Sequence, residues 1–218
     1  MKIALINDTH FGARGDSQIF LEYFMKFFET SFFPYIQENK IDTVFHLGDL
    51  MDRRKFVNFN TLNTTRKRFL EPLEDMGVKT HIILGNHDTY YKNTNELNSV
   101  QELLGDRYEN FNIIESPQEL WLEDNGFVMI PWINKSNKEE SLELLNTTSC
   151  PIAAGHFELN GYEVLPGIRH HGGLDDKILK KFEQVWSGHF HQKSSRDNIN
   201  YLGAQYQITF SDLYIKLF

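Results

Sequence analysis

A single cysteine, Cys150, stands among 218 residues. No disulfide can form within the chain, and a reducing compartment such as the cytoplasm is the expected setting. Cys150 reads as a small core residue rather than a nucleophile. No apolar run approaches the roughly 20 residues of a membrane-spanning helix. The apolar start, residues 1–6, is too short for a secretion signal and runs straight into a polar motif. We therefore expect no membrane partner. Positive charge is also scarce: 22 Lys and Arg against 30 Asp and Glu leave a net charge of −8. That argues against a broad basic coat for non-specific nucleic-acid binding, while leaving room for a locally positive cleft. Bound cations would add charge that residue counting omits. Repeats, low-complexity tracts and linker-like stretches are missing, so one domain over residues 1–218 is expected.

What is present alternates. Residues 3–6 read as a buried strand, and Ile19, Phe20, Tyr23, Phe24, Phe27 and Phe28 then recur at helical spacing. A strand is expected at 43–47, a helix at 62–76 ending near Gly77, and a strand at 78–84. This βαβαβ opening predicts a largely parallel sheet. Short strands are then expected at 112–114, 120–122, 127–130, 152–154, 184–186 and near 201–202, with helices at 138–145 and 175–181. That mixture predicts a second sheet packed on the first. His46 and His81, inside strands, read as core.

Polar motifs punctuate the strand ends: Asp8-Thr9-His10; Gly48-Asp49-Leu50-Met51-Asp52-Arg53; Gly85-Asn86-His87-Asp88; Gly155-His156; and Gly188-His189-Phe190-His191. Loops at the carboxyl ends of strands are where open α/β sheets build their sites. Asp8 and His10 are two apart, as are His189 and His191, so on extended backbone each pair points one way. Asp49 has two oxygens and can bridge two cations. Asn86 offers a neutral oxygen, so that Asp8 and Asp49 offset only half the charge of two divalent ions and leave attraction for an anion. A lone Asp-x-His or Gly-His step is more often a turn or a satisfied core histidine. Seven potential ligands in order, each after a strand, favour a metal centre. Oxygen and imidazole donors without thiolate point to manganese or iron, with zinc as an alternative, over copper or an iron–sulfur cluster.

In this order the motifs resemble the calcineurin-like metallophosphoesterase superfamily, whose pattern is D-x-H, GD-x-x-D, GNH[DE], GH and GHxH. The resemblance implies an α/β fold in four layers, an αββα sandwich with two mixed β-sheets flanked by helices. It implies two divalent ions: Asp8, His10 and His191 would hold one, Asn86, His156 and His189 the second, with Asp49 bridging. It gives His87 the task of protonating the leaving alkoxide and Asp52 that of orienting His87, while a water activated by the ions attacks phosphorus in line. Arg53 is a candidate for holding a phosphate oxygen, weighed evenly against a solvated basic loop of Arg53, Arg54 and Lys55.

Further stretches narrow the substrate. Gly85 to Asn93, Ile130-Pro131-Trp132, Gly155 to Gly161, Val185 to His191 and Tyr201 to Gln207 are similar to the SbcD-type DNA repair nucleases, above all to the recombination endonuclease subunit of tailed phages. This resemblance implies a metal-dependent DNA nuclease in repair or recombination, with DNA and an SbcC-type ATPase subunit as partners. Its setting is the cytoplasm, the host's if a phage encodes the chain. A homodimer, through part of the phenylalanine-rich helix, is the further assembly considered. A small-molecule phosphodiesterase or phosphatase is the alternative function. A non-catalytic scaffold is disfavoured by the intact ligand set. Two departures stand out. SbcD-type proteins usually continue into a capping domain, which this chain is expected to lack. Cellular members often carry histidine where Asp52 stands, and the phage-like ones carry aspartate. Beside the motifs, Tyr90, Tyr91 and Lys92 could stack on a base and touch a phosphate, with ordinary loop packing as the alternative for each. Arg66, Lys67 and Arg68 read as a solvated helix face, and residues 169–173 as either a mobile loop on the substrate side or a plain turn.

Overall fold

The computed structural model describes residues 1–165, 167–209 and 212; residues 213–218, where the sequence reading ends the domain, lie outside the described residues. β-Branched runs and long amphipathic stretches alternate through the first half. β1 (Ile3–Ile6) leads into a helical run α1 over residues 18–38, β2 (Thr43–His46) into a helical run α2 over residues 59–75, and β3 (Lys79–Ile83) into α3 (Ser99–Leu104), before β4 (Phe111–Ile114). The strands lie in the order β1-β2-β3-β4, every pair parallel, as helical crossovers require. The two long helices widen into π-turns at Phe28–Phe32 and Arg66–Leu70, each just ahead of a proline, Pro34 and Pro72. A wider turn relieves the clash between a proline ring and the carbonyl one turn back.

The second half supplies β5 (Gln118–Leu122), β6 (Asn125–Ile130), α4 (Lys138–Thr147), β7 (Ile152–Gly155), a small β8–β9 pair (Glu163–Leu165 and Ile168–Arg169), β10 (Gln184–Ser187), β11 (Ser194–Arg196) and β12 (Ile199–Tyr201). Six of these form one sheet in the order β11-β12-β10-β7-β6-β5, parallel at its centre and antiparallel at both edges. Mixed strand order is thus confined to the second sheet. The helix expected over 175–181 is only a 3₁₀ turn, Asp176–Leu179, because Asp175 caps the Lys177 N–H and the chain then drops Phe182 into the core.

Three apolar layers separate the four structural ones. Between the sheets lie Phe45, Leu47, Ile83, Ile114, Phe127, Met129 and Ala154. Under α1 and α2, Phe24, Phe28, Phe69 and Leu73 pack on Ile6, Val44 and Ile82. Under α4, Leu145 packs with Val128, Ile130 and Val185. The carboxyl ends of β1, β2 and β3 therefore meet those of β7 and β10 along one edge. There the Asp8 N–H donates to Gly48 O at 2.9 Å and the Gly188 N–H to Gly155 O at 3.1 Å. Among the described residues no helix is long and apolar enough to cross a membrane.

Candidate metal centre

Along that edge the strand-end loops bring all seven proposed ligands together. One set gathers Asp8, His10 and His191; another gathers Asp49, His156 and His189, with donor atoms in each set within 4.8 Å of one another. Asn86 joins the second set, its Oδ1 lying 3.0 Å from His156 Nε2 and 2.9 Å from His189 Nδ1. Asp49 Oδ2 stands between the two, 3.5 Å from His10 Nε2 and 3.4 Å from His156 Nε2. Asp8, His10, Asp49 and His156 are buried, whereas Asn86, His87, His189 and His191 are partly open to solvent.

The backbone reaches this arrangement by an unexpected route. Asp8, His10, Asp49 and His189 all have positive φ, at 49°, 42°, 58° and 86°. Non-glycine residues enter that region only at a cost of roughly 1–2 kcal/mol, and such outliers concentrate at functional sites. The i, i+2 pairs therefore do not converge on extended backbone, as their spacing predicts. Left-handed kinks turn the chain sharply off each strand end and aim both donors inward. Gly85 is obligatory here: a Cβ would meet Asp49 Oδ1 at 2.1 Å and Asp49 N at 2.3 Å.

A supporting ring of hydrogen bonds fixes the donors. The fully buried Asp88 carboxylate accepts the N–H groups of Asp49 at 2.8 Å, Leu50 at 3.0 Å, Met51 at 3.3 Å and Gly85 at 2.8 Å, locking two motif loops together. Burial, with the nearby charge of Asp49, still pushes its pKa up to about 7. Asn7 donates to the Asp8 carboxylate and to Gly203 O. Asp212 faces His191 Nδ1 at 3.8 Å. Of these, only Asp88 lies in a legible motif; Asn7 and Asp212 carry no sequence signal.

Do these donors fit a cation? His156 Nδ1 donates to Leu47 O at 2.7 Å, so the neutral ring turns its Nε2 lone pair toward Asn86 and Asp49. Acceptors then face acceptors. The Nε2 atoms of His10 and His191 likewise stand 3.2 Å apart. Such a gathering holds together only around positive charge. Without a metal, protons supply it. Burial disfavours a charged His10, but the Asp52 and Asp8 carboxylates outweigh burial and raise its pKa to about 10. Burial is likewise overcome at His156 by Asp49, to about 9. His189, pushed down to about 3 by burial and by the charge on His156, is a ready neutral ligand. Oxygen and imidazole donors around two foci fit divalent ions.

Two sequence-predicted roles look different in place. The Asp52 carboxylate stands 3.3 Å from His10 Nδ1, not behind His87; it is the Asp52 main-chain carbonyl that accepts from His87 Nδ1, at 2.5 Å. The His87 main-chain N–H is itself held by Asp49 Oδ1 at 2.7 Å. Arg53 is drawn aside by Asp16 at 3.0 Å and lies over the Phe56 ring at 4.9 Å, so its guanidinium is committed outside the donor cluster. Arg68, expected on a solvated face, clamps Glu22 and Glu29 of α1. The expected mobile loop at 169–173 is partly structured: Arg169 ends β9, and His170 Nε2 meets Glu158 at 3.0 Å.

The chain belongs to the calcineurin-like phosphoesterases, whose family model matches residues 1–193. Among named proteins it is similar to exonuclease subunit 1 of Enterobacteria phage T4, with 34% identity over 216 residues. That match spans 97% of this chain and 61% of the relative's length. One crystal structure matches with a TM-score of 0.55 at 12% identity over 93% of this chain and 90% of its own. GAP50, the anchor in the inner membrane complex of Plasmodium, matches at 0.51 and 14% identity over 92% and 70%. These two likenesses are of fold alone.

Proposed function

We propose that the chain is a metal-dependent DNA nuclease acting in repair or recombination. The observation that carries this is the convergence of Asp8, His10, Asp49, Asn86, His156, His189 and His191 on two adjoining foci. Asp8, His10 and His191 would hold one divalent ion and Asn86, His156 and His189 a second, with Asp49 shared and manganese first among the candidates. When bound, the ions supply charge for a phosphoryl group and an acidified water. His87 supplies the proton for the leaving oxygen: its Nδ1 proton is held by the Asp52 carbonyl, which leaves Nε2 to carry the mobile one. Asp52, through its carboxylate, positions ligand His10.

DNA as substrate is supported by the similarity to a phage exonuclease subunit and by the flank beside His87. There Lys55 lies 5.3 Å from the Tyr90 ring, with Tyr91 and Lys92 exposed next to it. Cationic and aromatic groups side by side suit a single strand. An SbcC-type ATPase subunit is the proposed partner, in the cytoplasm, the host's if a phage encodes the chain. A homodimer is proposed through α1, whose Ile19 and Tyr23 are exposed.

Manganese-loaded protein should degrade linear DNA, and His87→Ala should keep its metal content while losing turnover on the order of 100-fold or more. Hydrolysis of an aryl phosphodiester with no cleavage of linear or circular DNA would identify a small-molecule phosphodiesterase instead.

A further inference from the structure

Beside the centre lies a cavity of about 210 Å³ that none of the roles above uses. His156 forms the wall it shares with the centre; Trp132, Ile133, Leu174, Lys138 and Glu158 form much of the rest. The Trp132 ring lies 5.3 Å from His189 and 6.2 Å from His156, centroid to centroid, and the residue is partly buried. A large aromatic side chain thus lines the cavity against the donor set of the second proposed ion.

The main chain that carries Trp132 is fixed by hydrogen bonds. The Trp132 N–H donates to Leu84 O at 2.7 Å, and its carbonyl accepts from Asn137 Nδ2 at 3.0 Å. Asn137 Oδ1 accepts the Asn134 N–H at 2.8 Å, Asn134 Nδ2 donates to Asn95 Oδ1 at 2.7 Å, and Asn95 Nδ2 donates to Glu115 O at 3.1 Å. These three asparagines are buried, and burying amides is costly unless they are bonded. The chain of bonds ties the Trp132 segment to the loop that follows Asn86 and His87. The opposite wall is built as well. Gly173, at φ +75°, lies so close to Glu158 that a Cβ would meet its carbonyl oxygen at 2.1 Å, and the Leu174 N–H donates to that same oxygen at 2.8 Å. The close approach sets Leu174 in the cavity wall.

We propose that this cavity is a nucleobase subsite in which Trp132 stacks on the base of the nucleotide whose phosphate occupies the centre. The proposal rests on the nuclease reading and adds to it the means by which a nucleotide is gripped. A π face beside a phosphate site suits any of the bases, because each offers a flat ring. The volume falls below the roughly 300 Å³ at which pockets for drug-sized ligands begin, so it admits a single heterocycle. Asn134, Lys138 and Glu158 add polar groups around the ring.

Calorimetric titration of manganese-loaded protein with dAMP and with 2-deoxyribose 5-phosphate tests this, because the two differ only in the base. We expect dAMP to bind on the order of ten- to a hundredfold more tightly. Trp132→Ala should erase that gap by weakening dAMP alone, and Trp132→Phe should keep most of it. Leu174→Trp, which fills the cavity from the other wall, should erase it without touching Trp132. Equal binding of the two probes by wild-type protein would overturn the subsite, as would a gap surviving both Trp132→Ala and Leu174→Trp. A base preference without DNA cleavage would sink the nuclease reading and leave the subsite standing; DNA cleavage without a base preference would do the reverse.

Discussion

His81 lies on β3, where its Nδ1 accepts from the Asn112 amide at 3.0 Å. Burial, reinforced by the charge of Lys79, holds its pKa down to about 4 from an ordinary 6.5. A histidine depressed in this way is neutral in the fold and protonated more readily once unfolded. Its contribution to stability is therefore complete above pH 6.5 and is lost as the pH falls toward 4. Urea unfolding of the native chain and of His81→Gln across that window should show the native chain losing up to about 1.4 kcal/mol per pH unit more than the variant. Parallel curves would refute it. The same residue shows where sequence reading succeeds and stops. That His81 is core follows from its place in an apolar run; that Asn112 on the neighbouring strand satisfies one of its nitrogens does not. At the centre, which residues would gather was legible because glycine and histidine recur at strand ends. The positive φ of Asp8, His10, Asp49 and His189 was not, since nothing in those residue types announces a left-handed turn.

At the scale of elements, the loops after β2 and β3 interlock through Gly85 and Asp88. Gly85→Ala drives a Cβ against Asp49 backbone and carboxylate, so it should cost about 1–3 kcal/mol and lower bound metal together. Gly77→Ala makes the useful contrast. Gly77 has φ +67° and open space around it, so its cost is confined to the roughly 1–2 kcal/mol of a left-handed backbone. Metal content, measured by mass spectrometry on both variants, should fall only for Gly85→Ala; an equal fall in both would remove the steric explanation. Strands β1, β2 and β3 and their helices were readable because long helices and buried parallel strands repeat strong apolar patterns. β11, Ser194–Arg196, and the β8–β9 pair were not. They are short, polar or half-exposed, and pairing with a neighbour alone makes them strands. α3 escaped as well, because its only clear start signal is Asn98, whose side chain caps Gln101 N–H at 2.7 Å.

For the whole molecule, the four-layer order could be expected from the family pattern, while the strand order of the second sheet could not, because its two antiparallel edges arise from long-range pairing. The proposed ions should act on the entire sandwich. Loading chelator-treated protein with manganese should raise the unfolding temperature, through a gain of about 2.7 kcal/mol at a hundred times the dissociation constant. Asp49→Ala should abolish most of that rise and lower occupancy at both foci. One fully occupied ion in the variant would rule out a shared ligand.

Each focus draws donors from both sheets: Asp8 and His10 from the first with His191 from the second, and Asp49 and Asn86 from the first with His156 and His189 from the second. Neither half of the polypeptide owns a complete centre. On the proposed nuclease reading, hydrolytic competence would arise only when the two halves close on each other, and a nascent chain would stay harmless to nucleic acid until its last histidine had docked.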